Sequence, residues 1–380
     1  MASLSGRLLS YGLAVRRKLS LWATGDFHPY PTPPADVALS PSQAHAHALT
    51  AIRPALACPG GDGASIREWQ VRARQKLAEL SGYQTERPQP RVLFADDSTR
   101  AGLRMRRLYL RIAPDTDVPV TLLWRDGITT PAPAMICLQG TNSGFHLNWG
   151  EIRMPADHER ASKGLDFGRQ AASRGYVAVC IEQSCFGERQ ERAIPRSANA
   201  TIDAANHALL LGRTLVGERA TDVSSVVDWL LQSDGMPVID TGRIYVLGNS
   251  AGGTTAVHAA ALDERIAGVV ASGCVGFIRD TIARRRDGGG QNVIPGILKW
   301  LEMDGVVALT APRPFLAVSG TRDHIFPFAG AAAVVESARA AYRALGADHA
   351  ITSASAEGPH RFYPDVAWIA FERLVGGASS

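Results

Sequence analysis

Gly248-Asn249-Ser250-Ala251-Gly252 is the stretch on which the reading of this chain turns. Strand formers (Arg-Ile-Tyr-Val-Leu, 243–247) precede it, and an alanine-rich run that reads as helix follows. A G-x-S-x-G between a strand and a helix marks a sharp turn that lifts a serine hydroxyl above the end of a sheet. A serine held this way occupies a strained backbone conformation. The flanking positions then need glycine, which brings no side chain against the neighbouring strand and helix.

On either side of this turn, apolar runs alternate with helical periodicity. Upstream, strands are predicted over 92–94, 103–112 and 118–124, an antiparallel entry to a sheet. The continuous apolar run 134–138 suits a central strand buried on both faces. Strands over 176–182, 243–247, 266–272, 315–319 and 350–355 then alternate with helices over 163–174, 221–232, 251–262, 328–345 and 365–374. Such alternation, with right-handed crossovers, predicts an α/β fold: a mostly parallel central sheet with helices on both faces. Residues 1–85, broken by Pro31, Pro33, Pro34, Pro41, Pro54 and Pro59, read as an N-terminal helical extension packing on the main domain, with one helix over 65–81. Residues 86–380 form that domain. Two long connections, 184–215 and 276–310, leave the sheet at strand ends, where open α/β folds bind ligands; both are expected to act as lids or substrate walls.

Composition narrows the field. A chain of 380 residues can bury a large core, and 40 basic against 36 acidic residues, mostly interleaved, leave no nucleic-acid footprint. The one dense basic run, Arg284-Arg285-Arg286, reads as a solvated loop. Five cysteines at unpatterned spacings give neither a disulfide framework nor a zinc site, which favours a reducing compartment. The apolar stretch 8–15 is followed, not preceded, by Arg16-Arg17-Lys18, the reverse of a secretory signal, and is too short to span a bilayer. The expectation is a cytoplasmic protein with no membrane or nucleic-acid partner, able to form a homo-oligomer.

Serine is a weak nucleophile and needs a base oriented by a carboxylate. In this architecture the chain order is serine, acid, histidine. Asp323 follows the strand 315–319, in Gly320-Thr321-Arg322-Asp323, and His360 follows the final strand, in Gly358-Pro359-His360. Both lie at the same strand ends as Ser250, and the three are expected to meet as a catalytic triad. Among the competitors, His258 is assigned to packing inside the helix after the turn, His207 to the surface, and His349 to the wrong end of the sheet. His324 and Glu182 are retained as a lesser base and a lesser acid. Donors for a developing oxyanion are expected from the amide of Ala251 and, in the loop Gln139-Gly140-Thr141-Asn142-Ser143-Gly144, from that of Thr141.

These segments, together with Ala311-Pro-Arg-Pro-Phe-Leu316, Arg174-Gly175-Tyr176 and Phe186-Gly187-Glu188, resemble the α/β-hydrolase superfamily, nearest its dienelactone hydrolase and acetyl xylan esterase-like branch. The resemblance spans roughly residues 100 to 375. It implies an α/β-hydrolase fold and a serine hydrolase cleaving carboxylic esters of small molecules or carbohydrates, without metal or organic cofactor. Two departures stand out. Gln139-Gly140 replaces the His-Gly of many relatives, and true dienelactone hydrolases use cysteine as nucleophile, which disfavours that substrate. The rival readings are a prolyl oligopeptidase-like peptidase, for which 85 N-terminal residues are too few to build a propeller, an acyltransferase, and a non-catalytic binding protein.

Overall fold

In a computed structural model, residues 11–16, 18, 19, 34–192, 200–232, 238–283 and 290–376 are described. The basic run 284–286 lies outside them. The chain divides into two compact units, Met1–Ile52 and Arg53–Ser380. In the first, helix α1 (Pro41–Ala51) begins at Ser40, whose amide donates to Gln43 Oε1 at 3.3 Å, with Pro41 in the first turn.

The larger unit starts with helix α2 (Gly63–Ser81). Ile66, Trp69, Ala73 and Leu77 recur at three- and four-residue spacing and form its buried stripe. Its polar residues are also tied inward: Gln70 Nε2 donates to the carbonyls of Ala308 and Ala311, and Arg74 Nε to that of Ala261. Residues 53–85 are thus part of the larger unit, and the boundary between compact units falls before them.

Among the described residues, nine strands build one sheet in the order β1-β2-β3-β5-β4-β6-β7-β8-β9. They are β1 (Arg91–Arg100), β2 (Leu103–Ala113), β3 (Thr116–Arg125), β4 (Ala132–Leu138), β5 (Val177–Ile181), β6 (Ile239–Asn249), β7 (Gly268–Ser272), β8 (Phe315–Gly320) and β9 (Ile351–Ala356). The first three pair antiparallel, β3 joins β5 antiparallel, and every pair from β5 to β9 is parallel. The mostly parallel α/β sheet read from the sequence is therefore present. Strand β1 is longer than predicted and exposed throughout. Its polar half, Asp96 to Arg100, is weak strand material, held by pairing with β2 through a two-residue turn in which Ala101 and Gly102 have φ of 48° and 77°.

Helices cover both faces. Met135, Cys137, Ala178, Cys180, Leu247, Val270 and Leu316 pack in one cluster with residues of α4 (Phe167–Ser173) and α10 (Pro364–Gly376). The alternate positions, such as Ile136, Val179, Val246 and Ala271, are equally buried on the other face, with α6 (Leu215–Leu230), α7 (Ala251–Leu262) and α9 (Phe328–Ala344).

Helix limits and the long connections depart from the sequence reading. The helix predicted over 163–174 starts four residues later, as α4 (Phe167–Ser173), because Gly164 turns the chain at φ 72°; a separate short helix, α3 (Pro155–Ala161), precedes that turn. Helix α6 begins six residues before the predicted start of 221, where the Thr214 side chain caps it by accepting from the Gly217 amide at 3.0 Å. The two long connections carry structure of their own, α5 (Ala200–Leu210) and α8 (Met303–Ala308). Among the described residues no helix is long and apolar enough to cross a membrane.

Candidate active site

The turn after β6 is locked by close backbone approach. A Cβ at Gly248 would lie 2.1 Å from the Gly252 carbonyl oxygen, and one at Gly252 2.1 Å from that of Leu138. Ser250 itself sits at φ 55°, ψ −119°, a conformation that costs roughly 1–3 kcal/mol and persists only where surroundings enforce it. The enforcing contacts are short. Its amide donates to the Ser272 carbonyl at 2.7 Å, and its carbonyl accepts from Thr254 at 2.9 Å. Asn249 Oδ1 accepts from Ser272 Oγ at 3.0 Å, pinning the turn to β7.

Asp323, in the turn after β8, and His360, after β9, come to this serine. His360 Nε2 is 3.0 Å from Ser250 Oγ, and His360 Nδ1 is 2.7 Å from Asp323 Oδ2. Asp323 is buried, which by itself would raise its carboxyl. The imidazole on Oδ2 and the amides of Ile325 and Phe326 on Oδ1 outweigh burial and hold it below the ordinary value. An ionised Asp323 can only accept, so His360 carries its proton on Nδ1 and leaves Nε2 as acceptor for the serine hydroxyl. Predicted partners thus form one hydrogen-bonded chain.

The competitors are elsewhere. His258 is buried in α7 with Nδ1 2.8 Å from the Thr254 carbonyl, and burial pushes its imidazole down to about 4. His207, His324 and His349 are exposed. Glu182, at the end of β5, faces the opposing loop: its Oε1 accepts from Gln139 Nε2 and from the Phe145 amide, and its Oε2 accepts from the Glu188 amide. Burial pushes this carboxyl up to about 7, against the donors that favour its charge.

The opposing loop, 139–144, approaches the serine turn closely: a Cβ at Gly140 would lie 2.9 Å from the Asn249 carbonyl oxygen. Thr141, Ala251, Ser250 and His360 line one cavity of about 430 Å³. Two buried devices fix the loop. Gln183 Nε2 donates to the Gln139 carbonyl while Gln183 Oε1 accepts from Thr255 Oγ1, linking the loop to α7. Fully buried Asp157 accepts from Ser143 Oγ, from His146 Nε2 at 2.9 Å and from the amides of Arg153 and Met154. Burial would raise the Asp157 carboxyl, but these donors hold it far below the ordinary value. A third contact, Gln291 Nε2 to Thr141 Oγ1 at 3.3 Å, joins the loop to the connection 276–310. Sequence reading missed Asp157, His146, Gln183, Thr255 and Gln291; only Gln183, adjacent to Glu182 at a strand end, had a positional signal.

A serine turn, a hydrogen-bonded imidazole and carboxylate at successive strand ends, and a cavity at the parallel edge define the class of fold. The sequence model of the Abhydrolase family matches residues 44–344, and the chain belongs to that family within the α/β-hydrolase superfamily. A Bacillus subtilis protein provisionally named as a hydrolase, YtaP, is 26% identical over 221 residues, 57% of this chain and 69% of that one. The fold is shared with a Bacteroides fragilis protein provisionally assigned as an acetyl xylan esterase (TM-score 0.68, 19% identity, 90% of this chain and 91% of that one). It is also shared with a glucuronoyl esterase from Solibacter usitatus (TM-score 0.61, 14% identity, 87% and 100%). The chain is a hydrolase of this superfamily.

Proposed function

We propose that the protein is a serine esterase cleaving carboxylic esters of small molecules or carbohydrates. The observation that carries this reading is the continuous chain Asp323–His360–Ser250 at the wall of the cavity, with spacings of 2.7 and 3.0 Å. In the reaction His360 Nε2 takes the hydroxyl proton as Ser250 Oγ attacks the ester carbonyl. Asp323 holds the imidazole and stabilises the charge it gains. The amides of Ala251, at the N-terminus of α7, and of Thr141 hold the oxyanion, a contribution of several kcal/mol away from water. His360 then returns the proton to the departing alcohol, and water, deprotonated by the same imidazole, releases the acid.

The test is a panel of aryl esters with acyl chains of increasing length, run on wild type, Ser250→Ala and His360→Ala. Each substitution should lower kcat at least roughly 1000-fold. Equal turnover by Ser250→Ala overturns the reading, and preferential cleavage of peptide anilides moves it to a peptidase.

A further inference from the structure

We propose that the substrate of this site carries, besides its ester, an anionic oxyacid group, a carboxylate or a phosphate, held by Arg361 with Arg160 and Lys163 behind it. The inference rests on the esterase reading and names the substrate class within it. The three cations all line the cavity that holds Ser250, and no aspartate or glutamate does so among the described residues. Two of them are already compensated: Arg160 Nη1 lies 3.4 Å from Asp157 Oδ1, and Lys163 Nζ 2.6 Å from Glu159.

Arg361 differs. Its Nε donates to the Phe362 carbonyl at 3.3 Å and its guanidinium lies 5.1 Å from the centroid of the Tyr363 ring. Its terminal nitrogens meet no protein acceptor among the described residues, and no carboxylate pairs with it. A guanidinium oriented by a stacked ring and one backbone bond, with its fork unpaired, matches the two oxygens of a carboxylate or phosphate. Arg361 follows His360 directly and lines the same cavity as His360 and Ser250, so a group held there belongs to a molecule in that cavity. A purely apolar acyl or alcohol group would leave the guanidinium fork facing hydrocarbon, at the cost of an unpaired charged group.

The experiment compares matched esters. On the acyl side, p-nitrophenyl hemisuccinate is set against p-nitrophenyl butyrate; on the alcohol side, m-acetoxybenzoate against phenyl acetate. The readout is the ratio of kcat/KM, anionic over neutral, in which a folding defect cancels. Wild type should favour the anionic member of at least one pair. Arg361→Gln should lower that ratio roughly 10- to 100-fold, as expected for a charge-assisted hydrogen bond. Arg361→Lys should restore part of it, and added salt should erode it. Isothermal titration of Ser250→Ala and Ser250→Ala/Arg361→Gln with monomethyl succinate and with methyl phosphate separates carboxylate from phosphate without turnover. At least one should bind roughly tenfold more weakly to the double variant. A wild-type ratio near one for both pairs, or a ratio unchanged by Arg361→Gln, overturns the inference and leaves the esterase standing. Absence of Ser250-dependent turnover on every ester overturns the esterase reading instead. Titration then decides the subsite alone, and equal or undetectable binding to both proteins overturns it.

Discussion

The two neighbouring segments that line the cavity are held by opposite means. The serine turn is fixed by its own backbone: glycines packed against carbonyl oxygens and a short amide bond to β7. The loop beside it is fixed by side chains that arrive from distant parts of the chain. Glu182 is 43 residues from the Gln139 it accepts from, and Thr255 is 72 residues from Gln183. Backbone closeness gives a rigid turn that tolerates almost no added atom. Side-chain clamps give a loop whose position depends on several buried polar groups keeping their partners and their charge.

The largest effect should come from the serine turn. Gly252→Ala places a Cβ 2.1 Å from a backbone oxygen, and backbone cannot step aside as a side chain can. Loss of about 4 kcal/mol or failure to accumulate as soluble protein is expected; a thermal midpoint unchanged from wild type would break the contrast. On the loop side, Asp157→Asn should cost about 3 kcal/mol, since it leaves buried donors facing an amide nitrogen. Denaturant titration across pH sharpens this. The native carboxyl lies below its unfolded value, so its contribution is present above about pH 4 and is lost as the pH falls below it. The gap between wild type and variant should close in acid.

Glu182→Gln tests the same loop with the opposite sign. Its native carboxyl is raised to about 7, so what it contributes is present below the ordinary value and lost as pH rises through 7. Between pH 5 and 8 the variant should gain about 2 kcal/mol relative to wild type; parallel stability curves would remove burial as the cause of that shift. The smallest effect is expected from Thr255→Val, which strips one donor from Gln183 Oε1. About 1 kcal/mol of stability and a few-fold loss of kcat on aryl esters should follow. A loss as large as that of Asp157→Asn would mean that the link to α7, rather than the Asp157 clamp, sets the loop.

The same contrast explains what could be read in advance. Ser250, Asp323 and His360 each follow a strand inside a short local pattern, so topology alone puts them at one edge of the sheet. The nine strands were legible for the same reason, as apolar runs bounded by turns. Helix limits were not. Gly164 delays the start of one predicted helix and the Thr214 cap advances that of another, both decided by single residues without periodic signal. Asp157 and His146 form a buried pair only because the loop folds back on α3, and nothing in the spacing of an aspartate and a histidine eleven residues apart announces it.

The ribbon formed by β1 and β2 carries one further consequence. Among the described residues the sheet ends in ten exposed residues of β1, an unpaired row of amides and carbonyls open to any passing chain. Val92, Leu93 and Phe94 would make that row adhesive, yet the register slips between Val92 and Phe94, and Arg91, Asp96, Asp97 and Arg100 charge the remainder. Asp97 is gripped by Arg106 on the neighbouring strand, through oxygens 2.7 and 2.6 Å from the guanidinium. A bulge beside the greasy end and fixed charges along the rest protect this margin against strand-by-strand self-assembly, so that among the described residues the sheet ends at β1.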